Sequence, residues 1–72
     1  FVNSIFQMFT PDWESAVDII SLAMSIEAQA LDLYTRASER SKDSRSQAAL
    51  KKIAEEERSH LEQLGKLMDN EV

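Results

Sequence analysis

Leu50-Lys51-Lys52-Ile53-Ala54-Glu55-Glu56-Glu57-Arg58-Ser59-His60-Leu61-Glu62-Gln63-Leu64-Gly65-Lys66-Leu67 is the stretch whose reading decides the fold. Leu50, Ile53, Leu64 and Leu67 fall at the alternating steps of three and four that trace one face of an amphipathic helix. The two intervening positions on that face hold Glu57 and His60, an acid and an imidazole where the helix should bury leucine. Upstream the pattern repeats: Ile20, Met24, Leu31 and Tyr34 keep the same steps, and Glu27 occupies the missing one. Two helical seams are thus broken by three residues, each able to bind a metal.

The two seams are joined by Arg40-Ser41-Lys42-Asp43, too polar for a core and centred midway between Glu27 and Glu57. An antiparallel hairpin turning there brings the two glutamates to one level. Each is 15 residues from Lys42, so both stand roughly 22 Å up the hairpin at ~1.5 Å per residue. His60 lies one turn from Glu57 on the same face and joins them. Glu56, four residues before His60, is an alternative ligand; Glu57 is preferred because Ile53, Glu57, His60 and Leu64 keep the seam spacing.

Composition narrows the class. A chain of 72 residues holds one domain, and two amphipathic helices cannot enclose a core by themselves, so the apolar seams need a partner, most simply a second copy. There is no cysteine, which excludes a disulfide frame and any thiolate metal site within the segment. Thirteen acids against eight bases give a net charge of −5, with the basic residues scattered among acids. That is no nucleic-acid footprint. No apolar run approaches the ~20 residues of a membrane span and no basic n-region marks a secretion signal, so a cytoplasmic setting is expected.

The chain divides into residues 1–10, a leader, linker or tail of a preceding domain, and residues 11–72, the helical hairpin. The first of these, Phe1 to Thr10, is rich in apolar residues and equally suits a short helix packed on the bundle. Thr10-Pro11-Asp12 reads as a helix start, with Thr10 as N-cap, Pro11 in the first turn, and Asp12 and Glu14 favoured by the helix dipole. Helix one is expected from about Pro11 to Arg40. The second start falls at Asp43 or Ser44, where Ser44 with Gln47 fits a capping box, and the helix continues to about Met68. Gly65 interrupts it at a cost of ~1 kcal/mol. Trp13, Met24 and Met68 are expected in the core or at an interface.

An ionised carboxylate without a partner inside a helical bundle is costly; it takes up a proton, finds a cation or stays near water. A lone polar seam residue more often fixes register or oligomeric state. Three at one level, with Glu-x-x-His on one helix and a glutamate on the other, favour a cation. One chain offers two carboxylates and one imidazole; two chains offer four and two, whose −4 balances two ferrous ions. Two helices each giving Glu and two each giving Glu-x-x-His make the ligand set of di-iron four-helix bundles. Oxygen and nitrogen donors suit iron or manganese, and zinc could occupy the site without redox turnover.

Ser25-Ile26-Glu27-Ala28-Gln29-Ala30-Leu31-Asp32-Leu33-Tyr34 followed by Ile53-Ala54-Glu55-Glu56-Glu57-Arg58-Ser59-His60 resembles the rubrerythrin branch of the ferritin-like superfamily, from about Val17 to Met68. The resemblance implies an all-α fold in which an antiparallel two-helix hairpin dimerises into a ferritin-like four-helix bundle. It implies two irons per dimer, with Glu27 and Glu57 as carboxylate ligands, His60 as the terminal nitrogen ligand and Tyr34 as a hydrogen-bond donor behind them. The other reading of Tyr34 is an amphipathic core aromatic whose hydroxyl reaches an edge. The chain departs from rubrerythrin proper in having one hairpin instead of two and no rubredoxin centre. The first departure requires a dimer, as in the similar short encapsulated ferritins; the second leaves the electron donor unassigned. Some rubrerythrin-like hairpins follow a rhodanese-type sulfurtransferase domain, and a chain opening on Phe1 is compatible with such a fusion.

Three functions compete at this stage. One is a di-iron oxidoreductase reducing peroxide or dioxygen, the second a ferroxidase that hands iron onward, and the third a helical dimerisation module without metal, whose polar seam only sets register. Asp32, Glu39, Glu55, Glu56 and Glu62 would be an iron exit path for the second, although a solvated acidic face is the simpler meaning of such residues.

Overall fold

The computed structural model describes residues 12–72. Its two helices, α1 (Ala16–Arg40) and α2 (Ser44–Glu71), pack against each other as a hairpin, and there is no strand among the described residues. The helical hairpin expected from the seams is what forms. The readings placed on Phe1 to Thr10, and on Thr10 and Pro11 as a helix start, lie outside the described residues.

Local hydrogen bonding moves the start of α1 downstream of Pro11. Asp12 to Ser15 form a turn, with the Ser15 N–H donating to the Asp12 carbonyl at 2.9 Å and the Glu14 N–H to the Asp12 carboxylate at 3.0 Å. Asp18 folds back to accept the Asp12 N–H at 2.9 Å. Ser15 is therefore the N-cap, its hydroxyl accepting the Asp18 N–H at 3.2 Å. At the other end Asp43 caps α2 by accepting both the N–H and the hydroxyl of Ser46, at 3.0 and 2.6 Å. The Ser44–Gln47 box does not form, because Asp43 is the N-cap and Ser44 already the first helical residue, with the Gln47 N–H donating to the Asp43 carbonyl at 2.9 Å. Between the caps only Ser41, Lys42 and Asp43 are non-helical, a connection short enough to force α1 and α2 into antiparallel contact. α2 runs through Gly65 and ends at Glu71, three residues beyond the expected Met68.

The α1 seam is as the spacing predicts. Ile20, Met24, Glu27, Leu31 and Tyr34 are all half-buried, and the line continues to buried Ser38 and half-buried Ser41. On α2 the inner stripe is rotated by one residue from the predicted one: Leu50, Ala54, Glu57, Leu61, Leu64 and Met68 are buried or half-buried, while His60 and Leu67 are each 52% exposed. The two stripes share Leu50, Glu57 and Leu64. The deepest apolar residues, Leu22 and Ala54, lie on neither predicted seam. Burying a leucine such as Leu22 contributes roughly 1.5–3 kcal/mol, yet no large side chain among the described residues is fully buried. Trp13 is exposed, against expectation, whereas Met24 and Met68 are half-buried.

Candidate metal centre

Glu27 extends from the middle of α1 and Glu57 and His60 from the middle of α2, and each offers a ligand atom within 4.8 Å of the others. The hairpin register predicted by equal distances from the turn produces this meeting. His60 Nδ1 stands 3.5 Å from Glu27 Oε2 and 3.9 Å from Glu57 Oε2. The carboxylates are the more enclosed members, with side-chain exposures of 27% for Glu27 and 18% for Glu57. His60 sits on the open flank, where Leu67 is also exposed and Ile53 half-buried, all three separated by seven residues along α2. The stripe read from sequence as the inner seam is thus the border between the hairpin interior and its open face.

Glu27 Oε2 is the informative atom. It is buried and has no hydrogen-bond partner. At 3.5 Å from Nδ1 the imidazole is beyond a sound hydrogen bond, so a carboxyl oxygen is withdrawn from water with nothing donating to it. A buried acceptor left in this way is costly. The donor set also fits a cation. Oxygen and nitrogen ligands around one ion at ~2.0–2.2 Å lie about 3.0–3.4 Å from one another, so three atoms within 4.8 Å of each other would draw together on binding one.

The other residues singled out from sequence divide clearly. Glu56 is exposed and is not part of the cluster. Tyr34 is half-buried, and its hydroxyl makes no hydrogen bond among the described residues. Asp32, Glu39, Glu55, Glu56 and Glu62 are all exposed, and two of them pair with arginines on their own helix: Asp32 with Arg36 at 3.1 Å and Glu55 with Arg58 at 3.6 Å. They form a solvated face, each exposed pair contributing well under 1 kcal/mol. A groove of about 670 Å³ runs along Ala28, Asp32, Leu33, Arg36 and Ala37 on the outer side of α1, away from the three site residues.

Sequence reading missed the pairing of Ser38 with Gln47, because a contact across a turn has no periodic signature. The only signal was the place of Gln47 near the start of α2, where a cap was the obvious role. Among the described residues no helix is long and apolar enough to cross a membrane. The Rubrerythrin family model matches residues 7–71. Comparison with curated proteins and with solved structures returned no match.

Proposed function

The chain belongs to the rubrerythrin family, and we propose that it is a cytoplasmic, ferritin-like di-iron oxidoreductase reducing peroxide or dioxygen at a centre shared between two copies of the hairpin. The observation that carries this reading is the buried, unpartnered Glu27 Oε2 beside Glu57 and His60. One hairpin supplies too few donors for two ions, and its open flank, with Leu67 and Ile53 on either side of His60, is an apolar border that a second hairpin would cover. The pair then presents four carboxylates and two imidazoles, with two irons per dimer; manganese or zinc fits the same donors.

When bound, two ferrous ions supply the two electrons that, with two protons, convert hydrogen peroxide to two waters without releasing a radical. Everything else falls to the chain. Glu27 and Glu57 provide the negative charge that holds the ions, and their half-burial excludes the water that would otherwise compete for them. His60 holds through Nδ1, the nitrogen turned toward both carboxylates. Tyr34, two turns from Glu27 on the α1 seam, is assigned to hydrogen-bond a ligand carboxylate in the paired bundle. The electrons come from a separate donor, and a rhodanese-like domain is the proposed N-terminal fusion partner.

Metal analysis of protein from iron-supplemented cells, combined with its mass in solution and with peroxide consumption, tests the proposal. The expected result is about one iron per chain in a dimer that consumes peroxide repeatedly when given a reductant. A dimer devoid of iron, manganese and zinc would leave only the register-setting role. Iron oxidised once by dioxygen and then released would replace the peroxidase reading with the ferroxidase one.

A further inference from the structure

The last four carbonyls of any α-helix lack an intrahelical donor. In α1 the backbone N–H of Ser41 serves the Ala37 carbonyl at 3.0 Å. The next carbonyl, that of Ser38, belongs to the most enclosed residue described, 4% exposed. The Ser38 hydroxyl cannot help it, since it donates to the Thr35 carbonyl at 2.8 Å. The Ser38 carbonyl is instead met from the other helix, by the side-chain amide of Gln47 at 3.0 Å. Among the described residues this is the one hydrogen bond joining α1 to α2.

We propose that Gln47 is a positioning residue for the metal centre, acting through the Ser38 carbonyl to lock the longitudinal register of α2 against α1; the proposal rests on the metal reading of Glu27, Glu57 and His60. The arithmetic of the hairpin supports the assignment. Glu27 precedes Ser38 by 11 residues and Glu57 follows Gln47 by 10, so latch and site are matched levels of one ladder about 16 Å apart. A slip of one helical turn moves Glu57 by ~5.4 Å relative to Glu27, more than the 4.8 Å within which the three ligand atoms now stand. The apolar stripes resist such a slip only in part, since nearly all of their side chains are half-buried and their packing is not directional. A single directional bond to a buried carbonyl has no equivalent on the inner face one turn along α2, where half-buried Leu50 offers no donor and Lys51 is exposed.

The test uses cobalt(II) as the probe, read by titration and by its ligand-field absorption. Gln47→Leu keeps the volume and helix propensity but removes the donor; Gln47→Lys restores a donor that the C-terminal end of α1 also favours electrostatically. Met68→Ala, at the far end of α2, controls for lost packing. Gln47→Leu is expected to bind cobalt about tenfold more weakly with an altered absorption band, and Gln47→Lys to recover both. Met68→Ala is expected to lower the melting temperature while leaving the band unchanged. Wild-type affinity and spectrum in Gln47→Leu, or a loss no greater than in Met68→Ala at matched melting temperature, overturns the latch while leaving the metal centre standing. Wild-type protein that binds no cobalt overturns the metal centre itself and the latch's role with it.

Discussion

The hairpin has two polar levels, one at the turn and one halfway up, and they are built on opposite terms. At the turn Ser38, Gln47, Asp43 and Ser46 satisfy one another: the buried carbonyl has its amide and the exposed carboxylate has its N–H and hydroxyl. Halfway up, Glu27 has a buried oxygen with no donor, and its nearest polar neighbours are another acid and an imidazole at 3.5 Å. Polar groups that close on themselves hold a structure. A polar group left without a donor inside it costs stability.

The largest break in this contrast comes from removing the open level. Glu57→Ala and His60→Ala are expected to lose bound iron while keeping the helices, as read by iron stoichiometry and circular dichroism; retention of about one iron per chain in both would make the two levels alike. Filling the open level should have the opposite effect. Ferrous or manganous ion at a hundredfold excess over Kd contributes ~2.7 kcal/mol, a rise in melting temperature of roughly 10–20 °C in a domain of this size. An unchanged melt would mean that Glu27, Glu57 and His60 bind no ion.

A finer test replaces the orphaned acid by an apolar residue. Glu27→Leu is expected to stabilise the metal-free protein by about 1 kcal/mol, since an uncompensated polar group is exchanged for seam packing, and calorimetry without metal checks the sign. The smallest effect belongs to the turn. The hydroxyl of Ser46, followed by its backbone N–H, holds the Asp43 carboxyl below the usual carboxylate range. A group with a lowered folded-state pKa stabilises above its unfolded pKa and loses that contribution as pH falls through the folded value. Wild-type melting temperature should therefore drop on acidification through that window, and Asp43→Asn should flatten part of the slope.

How much of this could be read from residues alone depended on which signals are periodic. The turn around Lys42, the α1 seam and the meeting of Glu27 with Glu57 and His60 all follow from steps of three and four and equal spans from the turn. The phase of α2 does not. Leu50, Glu57 and Leu64 belong equally to a stripe through Ile53, His60 and Leu67 and to one through Ala54, Leu61 and Met68, and both look apolar. What separates them is that small Ala54 lies deeply buried beside the other helix, a tertiary fact. The point where α1 begins is likewise not periodic: Asp12 to Ser15 hydrogen-bond to each other and to Asp18, which sets the N-cap at Ser15. The Ser38–Gln47 bond, which joins residues nine apart across the turn, left no pattern to read.

One feature of the helices bears on traffic. Glu27 lies 11 residues from the start of α1 and His60 11 from the end of α2, so about 16 Å of helix sheathes the centre toward one end, and a similar length toward the turn. Were two hairpins paired, a small oxidant travelling lengthwise would meet Ile20, Met24, Leu64 and Met68 toward the open end, and Leu31, Tyr34 and Leu50 toward the turn. The short way in is lateral, past the flank where His60 stands between Ile53 and Leu67, and the bulk of those two side chains would then act as the sieve.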